Sequence, residues 1–276
     1  MTSKRPEYQA PPEIYYNESE ACKYSQNSRI IDIQVQMSER AIELLNLSEN
    51  IQCFLLDIGC GSGLSGGVLE DQGHTWIGID ISSAMLSVAQ NREVDGDLLL
   101  NDMGQGLPFK AGTFDGAISI SALQWLCNAD CTSHNPRKRL YKFFSTLYAC
   151  LNRSARAVFQ FYPENAYQIE LVTAEAMKAG FHGGLVVDYP NSTKAKKFFL
   201  VLMTGGPAPL PKALNDNEID KSIEFTKKRE RLHKGKVHLY KKTRSWILEK
   251  KERRRRQGKA VCEDTKFTGR RRSGHF

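Results

Sequence analysis

Asp57 and the glycines at 59, 61 and 63 lie in "LLDIGCGSG", an apolar run that ends in a carboxylate and three alternating glycines. A glycine-rich turn after a strand brings backbone close to a ligand at the carboxyl edge of a sheet. Two ligand classes compete for such a turn. "GSGLSG" at 61–66 satisfies the G-x-G-x-x-G dinucleotide pattern, which would seat a pyrophosphate on the next helix N-terminus. A carboxylate at Asp57 repels that anion. It favours a ligand with cationic character, such as an ammonium or a sulfonium, and S-adenosylmethionine carries both.

Further acidic residues follow at the ends of the next apolar runs. Asp80 closes "HTWIGID", with Ile81 after it. A carboxylate there accepts the hydroxyls of a ribose in either ligand class. Asp102, in "NDM", is placed to accept an adenine amino group, with Met103 packing on the ring. Asp is common in turns for local reasons, but three carboxylates at successive strand ends, the first against a glycine turn, point to a ligand site. "CNADCTSH" at 127–134 offers Cys127, Cys131 and His134. A structural zinc site takes four ligands, so no metal is expected.

These residues need a scaffold. Apolar runs alternate with helix-length segments: "QCFLLDI", "HTWIGID", "DLLLN", "FDGAISIS", "ARAVFQFY", "GLVVDY" and "KKFFLVLM", with helices near 136–152 and 164–179. That alternation predicts βαβ units in a Rossmann-like, seven-stranded, mostly parallel sheet with helices on both faces. The last two runs lack a helix between them, so the final strand is antiparallel. Before the sheet, 1–50 reads as a loop followed by one or two amphipathic helices, with Ile30, Ile33, Met37, Ile42 and Leu45 on one face. The α/β domain spans 51–203. "TGGPAPLPKALNDNE" starts a linker over 204–220, and 221–276 reads as a basic, largely disordered tail.

Charge divides the chain the same way. The formal net charge of +8 combines about −7 over the first 220 residues with about +15 from Lys221 onward. Such a tail suits a polyanion or a nuclear import receptor. The seven cysteines are scattered and give no disulfide framework, which fits a reducing compartment. The N-terminal stretch lacks the apolar core of a secretory signal, and the longest apolar run, "FFLVLM", is too short to span a bilayer.

From about 50 to 205 the chain resembles the class I S-adenosylmethionine-dependent methyltransferases. "PPEIYYNESEACKY", "DIGCGSGLSGGVLE", "GIDIS", "NDMGQGLPF", "SISALQWLCNAD", "FQFYP", "GFHGGLVVDYPNS" and "KFTGRRR" extend the similarity to the eukaryotic 18S rRNA (guanine N(7)) methyltransferases of small-subunit assembly. This resemblance makes Asp57, Gly59, Gly61, Gly63, Asp80, Ile81, Asp102 and Met103 contacts of S-adenosylmethionine. It also implies rRNA in the pre-40S particle as substrate and a nuclear or nucleolar location. The residues agree with that chemistry. The Asn/Asp-Pro-Pro-aromatic turn of exocyclic-amine methyltransferases is missing after "SIS", and neither Cys127 nor Cys131 follows a proline as a pyrimidine-attacking thiolate would. Guanine N7 has an in-plane lone pair and no proton, so its methylation needs alignment and no general base. Trp125, Tyr162 and Gln124 are the candidates to hold the base. In this fold the third strand lies at a sheet edge, and Leu98, Leu99 and Leu100 would make that edge apolar. A partner that adds a strand there is expected; the resemblance implies the small zinc-ribbon methyltransferase activator. The rival reading is a ribosome-assembly factor that binds pre-rRNA and whose methyl transfer is dispensable.

Overall fold

The computed structural model describes residues 5–48, 51–132, 134–206, 208–215, 244–256 and 260–268. The chain divides into two units, Met1–Ile219 and Asp220–Phe276.

The first unit opens with a short 3-10 turn, Pro6–Tyr8, and three helices: α1 (Pro12–Tyr15), α2 (Glu18–Gln26) and α3 (Ser28–Leu45). Asn17 and Asn27 set the two longer ones. Each side-chain oxygen accepts an N–H of the first turn, from Glu20 and Ile30 respectively. Asn27 therefore splits the amphipathic stretch into two helices. The sheet and its helices follow: β1 (Phe54–Ile58), α4 (Leu64–Asp71), β2 (Thr75–Asp80), α5 (Ser83–Asn91), β3 (Asp97–Leu100), β4 (Phe114–Ile120), α6 (Pro136–Cys150), β5 (Leu151–Phe161), α7 (Ala166–Lys178), β6 (His182–Asp188) and β7 (Lys197–Met203).

The seven strands run in the order β3-β2-β1-β4-β5-β7-β6. β1 to β5 pair in parallel, and β7 pairs antiparallel with both β5 and β6. Period-two alternation divides each strand between two cores. Leu56, Ala117, Phe159, Leu200 and Leu202 face one cluster with Phe143, Phe144 and Leu147 of α6 and Val172 of α7. Leu55, Ile118, Val158, Phe199 and Val201 face the other, with Ala41, Leu44 and Leu45 of α3 and Val68 and Leu69 of α4. Burial on both faces is why these strands read as unbroken apolar runs. β3 is an edge, as expected, but its leucines differ. Leu98 and Leu99 pack partly against the two cores, whereas Leu100 is 59% exposed.

Part of the expected linker, 212–214, is tied to the sheet domain. Arg40 of α3 and Asp188 of β6 are both buried and paired, Nε to Oδ2 at 2.9 Å. Asp188 Oδ1 also accepts from Leu214 N, and an Arg40 terminal nitrogen donates to Lys212 O. Tyr189 N donates to Leu214 O. A buried ion pair uses its remaining hydrogen-bonding capacity on nearby backbone, and this one binds 212–214 to the sheet domain.

In the second unit the tail carries a helix, α8 (Arg244–Arg256). It departs from the disorder expected of a basic tail. Its Lys251 donates to the carbonyls of Cys262 and Glu263 and to Asp264, and Arg255 also reaches Asp264. Lys, Glu, Arg and Leu are good helix formers, and Glu252 pairs with Arg256 one turn on. Beyond α8, residues 260–268 are described and end in a turn closed by Thr268 N donating to Thr265 O at 2.9 Å; the other tail residues lie outside the described ones.

Asp188→Ala removes the buried partner of Arg40, leaves its guanidinium with only the exposed Glu43 carboxylate, and frees the 212–214 segment. A loss of about 3 kcal/mol in unfolding free energy is expected, read by urea denaturation, together with faster proteolysis after residue 203.

Candidate functional site

The turn after β1 is held against β2. The amides of Gly59 and Cys60 both donate to Ile79 O, at 2.8 and 3.1 Å. Gly59 has φ +74°, and a Cβ there would run into Ala122 Cβ, just beyond the end of β4. Gly61 has φ +53°, and its N–H donates to Asp80 Oδ2 at 2.8 Å. Ser82 N donates to the other oxygen, Oδ1, also at 2.8 Å. Two backbone donors thus fix the Asp80 carboxylate, and each oxygen keeps a lone pair for a ligand.

A cavity opens over this turn. Gly59, Gly61, Asp80, Ile81, Asp102, Met103 and Trp125 line it, as do Tyr16 and Tyr24 of the N-terminal segment. Tyr16 is drawn in through its carbonyl, which accepts from Ser82 Oγ at 2.8 Å. Its ring meets Trp125 edge-on, with centroids 5.8 Å apart. At the far wall Asp102 accepts from Gly104 N and from one terminal nitrogen of Arg139, at 2.6 and 2.8 Å to its two oxygens. Arg139 also reaches Asp130, at 3.5 Å, and His134 Nδ1, at 3.0 Å. Between the glycine turn and this wall, Ser121 has φ +59° and bonds Gln160 Oε1 at 2.8 Å. A non-glycine residue in this region, clamped by a fully buried neighbour, marks a constrained site.

Comparison with known proteins gives this geometry a family. Residues 56–159 match the model described as "Methyltransferase domain", and 202–274 match "Methyltransferase involved in Williams-Beuren syndrome". The chain is 58% identical to the 18S rRNA (guanine-N(7))-methyltransferase of Mus musculus, over 99% of each chain. It is 52% identical to the probable 18S rRNA (guanine-N(7))-methyltransferase of Dictyostelium discoideum, again over 99% of each. The chain belongs to this family. Solved structures share its fold at low identity. Phosphoethanolamine N-methyltransferase 2 of Haemonchus contortus superposes with TM-score 0.54 at 17% identity, covering 69% of this chain and 58% of that one. Magnesium protoporphyrin IX methyltransferase of Synechocystis gives 0.52 at 18%, covering 74% and 99%.

Members of this family are S-adenosylmethionine-dependent methyltransferases, and the cavity fits that cofactor. Asp57 Oδ1 and Ser62 Oγ are buried at the glycine turn without a partner in the chain. The cradle at Gly59 has no room for a side chain. The acidic lining suits a cation, and Asp80 presents free lone pairs.

Not every expected residue reaches the cavity. Asp57 is fully buried beneath it and donates nothing to its wall. Ser65, which does line the wall, bonds Asp57 Oδ2 at 2.5 Å. Asp57 thus acts on a ligand through its field and through Ser65. Gly63 begins α4 and faces Val94 and Ala89, away from the cavity. Gln124 and Tyr162 line a separate, smaller cavity. Motif reading assigned no role to Ser65, Arg139, Tyr16 or Tyr24, although all but Arg139 lie within the motifs quoted above. Only its place in the first turn of α4, eight positions after Asp57, could have hinted at Ser65. Burial pushes the Cys127 thiol up to about 12, which disfavours the thiolate that a nucleophile needs. Among the described residues no group of three or more His, Cys, Asp or Glu side chains could hold a metal ion.

Burial pushes the Asp57 carboxyl up to about 7; the Ser65 hydrogen bond opposes this and the Asp80 charge adds to it. A cationic ligand needs the ionised form. Affinity for S-adenosylmethionine therefore rises with pH between about 6 and 8, by at most about tenfold per unit, with a proton released on binding. The sign for folding is opposite: because the native pKa lies above the unfolded one, the contribution of Asp57 to stability declines as pH rises toward about 7. Calorimetry in buffers of different protonation enthalpy reads the released proton, and Asp57→Asn should abolish both the release and the slope.

Proposed function

We propose that this chain transfers a methyl group from S-adenosylmethionine to N7 of a guanine in 18S rRNA. The carrying observation is identity of 50% or more, end to end, with relatives named for that reaction. The side chains support it. When bound, the cofactor supplies a sulfonium-activated methyl group. Asp80 holds the ribose hydroxyls with the lone pairs its two backbone donors leave free. Asp102, fixed by Arg139, faces the adenine, with Met103 beside it. Asp57 and Asp80 supply the negative field that favours a cation. Gly59, Gly61 and Ile81 give backbone and apolar contact. Trp125 and Tyr16 present ring faces to a base whose product carries positive charge. Neither a general base nor a thiolate is required, since guanine N7 offers a free lone pair.

The reaction is tested with the full chain and small-subunit rRNA from cells depleted of it. N7-methylguanosine, read by mass analysis of the digested RNA, should form at one site. Asp80→Lys should lower both cofactor affinity and product by more than about 100-fold, because it replaces two acceptors with a repelling cation. Unmethylated rRNA with the unsubstituted chain and its activator would refute the substrate.

A protein partner belongs at β3. Among the described residues β2 alone pairs with this strand, leaving its outer edge open. Leu100 projects 59% exposed from that edge. A small zinc-ribbon methyltransferase activator that adds its own strand would satisfy the edge amides and cover the leucine. Leu99 is already partly packed, so Leu100→Lys is the sharper variant. It should abolish co-purification with the activator and leave the isolated chain's unfolding midpoint within about 0.5 kcal/mol of the original. Retained co-purification would place the partner elsewhere. The basic residues beyond 220 supply salt-sensitive contact with rRNA phosphates and direct the chain to the nucleus.

A further inference from the structure

Away from the cofactor cavity, two buried oxygens have no partner in the chain: Glu7 Oε2 and Gln124 Oε1. Both residues line one small cavity, together with Tyr162 and Asn128. Gln124 is 5% exposed. Its amide nitrogen donates to Ser121 O at 2.8 Å, so its oxygen is the atom left over. Turning the amide over would set that oxygen against another carbonyl, which fixes the orientation. Glu7 sits on the Pro6–Tyr8 turn. The neighbouring Arg5 anchors that turn by donating to Tyr162 O and Pro163 O, at 3.1 and 3.3 Å.

Buried acceptors are nearly always paired, and leaving one unpaired destabilises the fold. Two in one cavity fit a ligand that brings two adjacent donors. Among the four RNA bases, guanine alone has two donors side by side, N1–H and the 2-amino group. Adenine and cytosine offer a single amino group beside a ring acceptor, and uracil a single N–H. A carboxylate strengthens such bonds by its charge.

The position agrees with the chemistry. Gln124 and Trp125 are neighbours on the 3-10 turn Leu123–Cys127. Gln124 faces the small cavity and Trp125 faces the cofactor cavity. In guanine the edge carrying N7 and the edge carrying N1–H and the 2-amino group are separate and meet at O6. A guanine placed across this turn directs N7 toward the cofactor cavity and its donor edge toward Glu7 and Gln124.

We propose that Glu7 Oε2 and Gln124 Oε1 recognise the N1–H and 2-amino edge of the target guanine and set the enzyme's choice of base. The proposal rests on the guanine-N7 reading above. It makes the N-terminal segment part of the substrate site, with Tyr162 as a wall of the base-edge cavity.

The test uses the full chain, with its activator, and an rRNA fragment in which the methylated guanosine is replaced by inosine. Inosine keeps N7 and N1–H but lacks the 2-amino group. The unsubstituted chain should favour guanosine in kcat/KM by about 10- to 100-fold, the usual effect of one charged hydrogen bond. Glu7→Ala should reduce that preference to less than about threefold, by slowing guanosine and sparing inosine, with calorimetric affinity for S-adenosylmethionine unchanged. Glu7→Gln, which keeps the shape and one acceptor, should fall between the two. Equal rates on guanosine and inosine with the unsubstituted chain would overturn the proposal. So would a preference that survives Glu7→Ala, as it must if a trapped water satisfies the two oxygens. Loss of cofactor affinity in Glu7→Ala would assign the residue to folding and overturn it equally. In all three cases guanosine is still methylated by the unsubstituted chain and the parent reading stands. Failure to methylate guanosine at all would remove both.

Discussion

The close approach of the β1 turn to the end of β4 is the constraint on which the site depends. Gly59 and Ala122 touch so closely that no Cβ fits between them. Because the turn lies that near, its amides reach Ile79 O on one side, and Gly61 N reaches Asp80. The carboxyl ends of β1, β2 and β4 are drawn into one rim. The register that brings them level is set by two cores, since a one-residue slip in any strand would exchange the leucines of the two faces.

Charge is distributed unevenly around that rim. Asp57, Asp80, Asp102 and Asp130 crowd the site, and Arg139 is tied to two of them. Burial holds the Asp57 and Asp80 carboxyls above their ordinary range, so the free site resists full ionisation. A ligand with positive charge relieves that resistance, which ties recognition of the cofactor to the energetics of the empty fold. Arg139 keeps Asp102 oriented and balances charge at the wall, so the attraction is concentrated at the glycine turn.

The N-terminal segment joins the two halves of the site. Ser82 holds Tyr16 at the cofactor cavity, while Arg5 holds the Pro6–Tyr8 turn at the end of β5. One short stretch of chain thereby lines both cavities.

Much of this protein was legible in its sequence. Alternating apolar runs and helix-length segments determined a doubly covered sheet, because burial on both faces leaves unbroken apolar strands. That Asp80, Asp102, Gly59 and Gly61 would lie together at the strand ends was legible because close backbone approach and strand-end carboxylates are local devices; that Gly63 turns away was not. Other features needed the tertiary structure. Asp57 looks like a contact residue in sequence, yet the rise of α4 places Ser65 over it. Arg139 finds Asp102 across 37 positions of chain, a pairing set by how α6 packs. The tie between Asp188 and Leu214, and the meeting of Glu7 with Gln124, are likewise long-range. No spacing rule encodes them, because side chains that meet through packing of separate elements share no period along the sequence.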